Sequence, residues 1–210
     1  MIITYHGGEF IKLQAGDTVL GFNPISKESK LKGSSFGADV CFVSLNHPDM
    51  NGADLCSRGD RQAFVIKGPG EYEVASIFAA GYGTKSHYDE VEWYNTVYSL
   101  EFDGMQIVYL GALDDTKLPA EVTEDLDSID VLFVPIGGFG VLDAAQAHKM
   151  AVALEPKIII PIHFGEIGEK DALKRFLKEA GAEGTKAVDK LTIKPKDIAG
   201  KSGEVVVLGA

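Results

Sequence analysis

The residues of this chain best suited to chemistry are His47 and Asp49, in Ser44-Leu45-Asn46-His47-Pro48-Asp49-Met50-Asn51, and His163, which ends Ile158-Ile159-Ile160-Pro161-Ile162. Imidazole and carboxylate groups hold a hydrolytic metal ion and lower the pKa of its bound water. His47 and Asp49 alternate as they would in a zinc loop, but Leu45 and Met50 stand where two further ligands would complete it. Neither can replace an imidazole towards zinc, because leucine has no donor atom and methionine is a soft ligand suited to copper(I). The plainer roles are a turn or surface position for His47, a cap on a short helix or turn near Asn51-Gly52 for Asp49, and a hydrogen bond to a backbone carbonyl for His163.

The remaining histidines carry weaker signals. His87, in Lys85-Ser86-His87-Tyr88-Asp89-Glu90, reads as a solvated loop residue. His148 decorates a helix, and His6 precedes Gly7-Gly8 near the start of the chain. Gly68-Pro69-Gly70 resembles a phosphate cradle only superficially, because no helix start follows it, and it reads as a sharp turn. Cys41 lies in an apolar run and Cys56 lies past the His47 loop. With no CxxC spacing, neither suggests a thiolate metal site or a redox pair.

The elements that must position these groups follow from apolar patterning. Short strands are expected at 2–5, 10–14, 18–21, 40–44, 63–67, 71–75 and 77–80, then at 95–103 and 105–110 around an Asp103-Gly104 hairpin turn. The rhythm then changes to strand 131–136, helix 142–154, strand 158–162, helix 170–180 and a final strand at 203–208, which implies parallel strands covered by helices. The strands ending at Ser44, Leu110, Pro135 and Ile162 all run into polar or Gly-rich loops. Ligand sites of α/β sheets lie beyond such carboxyl ends, so neighbouring parallel strands would bring His47, Asp49 and His163 to one crevice. Two sheets with helices outside, in one domain spanning residues 1–210, accommodate this pattern.

Composition limits the partners. A formal net charge of −11 with no Lys/Arg run disfavours nucleic acid and anionic membranes. No signal peptide or membrane span is evident, so a cytoplasmic protein acting on a small molecule is expected.

The same residues resemble the metallo-β-lactamase-fold hydrolases, in particular the predicted zinc-dependent hydrolases similar to ascorbate-6-phosphate lactonase. The resemblance runs from Ile3-Thr4-Tyr5-His6-Gly7 through Ser44–Asp49, Gly68–Tyr72, Asn95-Thr96-Val97-Tyr98, Tyr109-Leu110-Gly111 and Val134–Gly138 to Ile160-Pro161-Ile162-His163. It implies an α/β fold, the four-layer αββα sandwich, with the site at the edge between two sheets. It further implies that His47 and His87 (or Ser86, one residue away) serve a first metal, and Asp49 and His163 a second. The family's His-x-His-x-Asp-His loop reads Leu45-Asn46-His47-Pro48-Asp49-Met50 here. The aspartate expected after Leu110-Gly111 is Ala112, and an N-terminal histidine of many relatives is matched by Gly8.

A catalytic zinc takes about three protein ligands and a water, and neither set reaches three. The expectation is therefore an incomplete dinuclear site in a catalytically impaired or non-catalytic binding module, with zinc absent or weakly held. The alternative is a metal-dependent hydrolase of phosphoesters or lactones with a rearranged mononuclear site of His47, Asp49, His163 and His87, in which Asp49 is the catalytic residue.

Overall fold

The computed structural model describes residues 1–126 and 128–210. Thirteen strands among these residues form two sheets. The first sheet contains β1 (Ile2–Tyr5), β2 (Ile11–Ala15), β3 (Thr18–Phe22), β4 (Val40–Val43) and β5 (Phe64–Lys67). The second takes β6 (Gly70–Val74), β7 (Ile77–Ser86), β8 (Trp93–Phe102), β9 (Met105–Tyr109), β10 (Val131–Pro135) and β11 (Ile158–Ile162). Strand β12 (Leu191–Thr192) then pairs with β1, and β13 (Glu204–Val205) pairs with β11. The sheet orders are β12-β1-β2-β3-β4-β5 and β13-β11-β10-β9-β8-β7-β6.

Alternation along the strands builds the layers. On β4, Val40 and Phe42 enter the core between the sheets, where they meet Tyr98, Tyr109 and Phe133 of the second sheet. Cys41 and Val43 face the other way, into a cluster with Phe10, Ile25, Ala38 and Cys56. On the second sheet, Val97, Val108, Leu132, Val134 and Ile159 face a separate cluster containing Ala147, Met150, Ala172 and Phe176. Those four residues come from helices α2 (Ala144–Leu154) and α3 (Ala172–Glu179), which follow the short α1 (Ala120–Asp125). Helix α2 begins with a capping box in which the Asp143 side chain accepts from the Gln146 backbone while Gln146 returns a bond to Asp143.

The result is the αββα sandwich, with one departure from four regular layers. The outer covering of the first sheet comes from residues of the loop after β3 and from the 3-10 turn Ala53–Cys56, rather than from an α-helix. The hairpin at Asp103-Gly104 forms as its sequence predicts, with both residues at positive φ (54° and 71°). Strands β9, β10 and β11 are parallel neighbours, whereas β4 belongs to the opposite sheet, so the site is assembled across the sandwich and not along one sheet. None of the described helices is long and apolar enough to cross a membrane.

Candidate functional site

Beyond β4 the chain turns sharply, and the Met50 N–H donates to the His47 carbonyl at 2.8 Å. The Asp49 N–H donates to His47 Nδ1 at 3.2 Å, so Nδ1 accepts and Nε2 is the protonated nitrogen of the neutral ring. That Nε2 lies 4.0 Å from an Asp89 carboxylate oxygen. Asp49 does not cap the 3-10 turn, which has Gly52 at its N-cap and no side-chain cap bond. Its carboxylate instead accepts from the Tyr88 hydroxyl at 2.7 Å and from the Ser29 hydroxyl.

His163 follows β11 in a left-handed conformation (φ 61°), uncommon for a residue with a side chain. Its N–H donates to the Gly8 carbonyl at 2.7 Å, and its Nδ1 meets Glu9 Oε1 at 2.7 Å. Both side chains are essentially inaccessible, 1% exposed for His163 and 0% for Glu9. The other Glu9 oxygen accepts from Asn23 Nδ2 at 2.7 Å, and the Glu9 carbonyl accepts from the Tyr109 hydroxyl at 2.6 Å. Asn23 also bonds Ser44, accepting from its N–H and donating to its hydroxyl. A buried carboxylate is tolerated only with such partners, and here it receives a ring N–H and an amide. Burial, more than the nearby Glu9 charge, pushes the Tyr109 hydroxyl well above its ordinary pKa and keeps it a donor.

Tyr88 sits between the two loops. Its ring is edge-on to His47, with centroids 4.8 Å apart, and edge-on to His163, with centroids 5.3 Å apart. Burial first, and the Asp49 hydrogen bond second, drive its hydroxyl pKa upward. Around it, Leu45, Met50, Ala112 and Val141 form one buried apolar cluster with the tyrosine. The two residues in ligand positions of the loop and the alanine at the bridging position thus pack on one another. Among the described residues, no three His, Cys, Asp or Glu side chains come together where they could hold a metal ion.

His87 shares a cavity with His163 but is bonded elsewhere. It is 58% exposed, and both its N–H and its Nδ1 engage Asp114, the ring nitrogen at 2.5 Å. Ser86, the other candidate at that position, is buried and donates to the Gly140 carbonyl at 3.0 Å. His6 bonds Ser34 through Nδ1 and packs between Phe10 and Phe36. A cavity of about 570 Å³ opens over the assembly, lined by residues that include His87, Tyr88, Asp89, Glu90, Phe139 and His163.

Two residues central to this site carried no usable sequence signal. Glu9 adjoins the turn at Gly7-Gly8 and looks like any polar residue beside a strand. Tyr88 adjoins the more conspicuous His87, and the aromatic ring amid Lys85–Glu90 was the available clue.

Comparison with known proteins bears on this arrangement. Residues 2–163 match the family model described as the beta-lactamase superfamily domain. A UPF0173 metal-dependent hydrolase of Pelotomaculum thermopropionicum is 28% identical over 184 residues, covering 70% of this chain and 75% of that protein. A UPF0173 protein of Pyrococcus furiosus is 36% identical, but over only 67 residues, 32% of this chain and 31% of that protein. Among solved structures, a Thermotoga maritima protein named as a Zn-dependent hydrolase of the metallo-β-lactamase superfamily superposes with a TM-score of 0.75 at 26% identity, covering 99% of this chain and 97% of that one.

Proposed function

This chain belongs to the β-lactamase superfamily, and from that premise we propose that it is a one-domain member in which the dinuclear metal centre has given way to a small-molecule binding site. The residues present do not fit a pair of zinc ions. The observation that carries this reading is the Tyr88 ring, which separates His47 from His163 and bonds the carboxylate of Asp49. Leu45, Met50 and Ala112 offer no donor atoms and fill the adjoining space with methyl and thioether groups. The Nδ1 atoms of His47 and His163 are engaged by the Asp49 N–H and by Glu9, which leaves each ring only its Nε2 for a ligand. Metal affinity depends on a full set of deprotonated ligands in place, so zinc is absent or weakly held, and Asp49 is an acceptor for two hydroxyls rather than a group that activates water.

The names of the relatives favour a second reading, a metal-dependent hydrolase with one ion held by His47, Asp49, His163 and His87. That would require Tyr88 to leave Asp49 and His87 to leave Asp114. The measurement that separates the two readings is metal content by plasma mass spectrometry, on protein produced in zinc-supplemented medium and desalted. The expected result is well below one zinc per chain. Stoichiometric zinc, lost in His47→Ala or His163→Ala, would overturn the proposal.

A further inference from the structure

The lining of the cavity above Tyr88 is chemically one-sided. Asp89 and Glu90 supply two carboxylates, while Tyr88 and Phe139 supply two aromatic rings, and no Lys or Arg is among the lining residues. Phe139 is 72% exposed and held at positive φ (52°) between Gly138 and Gly140, so its ring is presented to solvent at a cost in both hydration and backbone strain. Asp89 and Glu90 also have positive φ (55° and 59°). Two consecutive non-glycine residues in that conformation cost backbone energy that must be offset elsewhere.

His163 supplies an independent indication of what the cavity holds. It is almost fully buried yet lines the cavity. Its Nδ1 faces Glu9, whose carboxylate also receives the Asn23 amide. A carboxylate accepting two bonds makes Nδ1 the donor, so in the neutral ring Nε2 presents a lone pair that no described residue bonds. An acceptor without a protein partner, two carboxylates and two aromatic side chains among the lining residues together select a ligand with N–H donors and positive charge. The donors satisfy the imidazole and the carboxylates, and the apolar remainder packs against the rings.

We infer that this cavity binds a small organic ammonium compound, with its charged head between Asp89, Glu90 and His163 and its apolar part against Tyr88 and Phe139. This rests on the reading of the site as metal-free, and it names the class of ligand that site takes.

The test uses three probes that share a phenyl ring and differ in the head group: phenethylamine, 2-phenylethanol and 3-phenylpropionate. Affinities are measured by calorimetry at pH 8, where the amine and the carboxylate probes are both charged. The amine should bind at least about tenfold more tightly than the alcohol or the carboxylate, the scale of one desolvated charge interaction. The double variant Asp89→Asn/Glu90→Gln should lose roughly tenfold or more in amine affinity while retaining its circular dichroism spectrum. Phe139→Ala, which alters an exposed side chain, should weaken all three probes alike. Equal or tighter binding of the carboxylate, amine affinity unchanged in the double variant, or no amine binding at millimolar concentration would each overturn the inference. Metal content on the same samples keeps the two readings separate. Low zinc without amine binding sinks only this inference, whereas stoichiometric zinc sinks the reading beneath it.

Discussion

Replacing Tyr88 by phenylalanine isolates the hydroxyl that ties the two loops of the site together. The ring, and with it the edge contacts to His47 and His163 and the packing on Leu45 and Met50, is retained. What is lost is one 2.7 Å bond to the Asp49 carboxylate. Hydrogen bonds to charged groups contribute about 1.5–3 kcal/mol net. Asp49 keeps the Ser29 hydroxyl and 16% exposure of its side chain, so water compensates in part and the lower end applies, about 1–2 kcal/mol. In a chain of this length each kcal/mol lowers Tm by roughly 2–4 °C, giving a fall of about 2–8 °C. Urea unfolding at neutral pH should show a lower midpoint with an unchanged slope. The difference should also depend on pH in a fixed direction. The folded-state pKa of Tyr88 is raised by burial and by Asp49, so its contribution is fully present below the ordinary tyrosine value of about 10 and is lost as pH rises from there through the folded value. The wild-type advantage over Tyr88→Phe should therefore shrink above about pH 10. A stability difference under about 0.5 kcal/mol at pH 7, within the range of neutral surface changes, would refute the role given to this hydroxyl.

Other perturbations test neighbouring parts of the site. Glu9→Ala leaves the His163 and Asn23 donors buried without their acceptor, and should cost about 2–5 kcal/mol in urea unfolding, with Glu9→Gln costing less. Ala112→Asp places a carboxylate in the fully buried cluster of Leu45, Met50, Tyr88 and Val141. It should lower stability by about 3 kcal/mol or more. Thermal scans with and without zinc should coincide, and a zinc-dependent recovery would mean that a metal centre can be completed there. Burial raises the pKa of Tyr5, Tyr98 and Tyr109 as well as that of Tyr88, so stability followed by fluorescence should fall steeply with pH above about 10. A flat profile to pH 12 would contradict that burial.

Much of the fold was legible because strands β10 and β11 are continuous apolar runs and the Asp103-Gly104 turn states its own geometry. The helices are one or two residues shorter at their ends than the pattern predicts, since residues 142–143 and 170–171 lead into α2 and α3 without joining them. Strand β7 is longer than the 77–80 its apolar pattern predicts. It continues from Ile77 to Ser86, and Gly81 and Gly83 disguise its second half as loop. A bare Cα at Gly81 is needed because any Cβ there would press on the Gly68 carbonyl and on Thr96 and Tyr98. The two-residue strand β12 is made by pairing with β1 and has no pattern of its own, whereas the final strand expected at 203–208 forms as β13 over Glu204–Val205 alone, paired with β11. For the site, His47, Asp49 and His163 were visible through residue type and position at strand ends. Glu9 and Tyr88 were not, because what matters about each is a partner far away in sequence, and neither periodicity nor spacing encodes that.

The Glu9 contacts also bear on how the molecule assembles. His163 lies 154 positions from Glu9 and Tyr109 lies 100 positions away, and Asn23 links the same carboxylate to Ser44. Contacts that close such long loops are costly in chain entropy until both sheets are in place. On a chain made from its N-terminus, Glu9 is synthesised early and has no ring to meet until β11 has emerged. Either its carboxylate stays in water until then, or the turn that carries it stays loose. Strands β1 to β5 can pair in that interval, whereas β12, which completes the first sheet beside β1, is made later still. The Glu9 end of the first sheet is thus sealed only when Tyr109 and His163 of the second sheet arrive, so the two halves of the sandwich close on this carboxylate together.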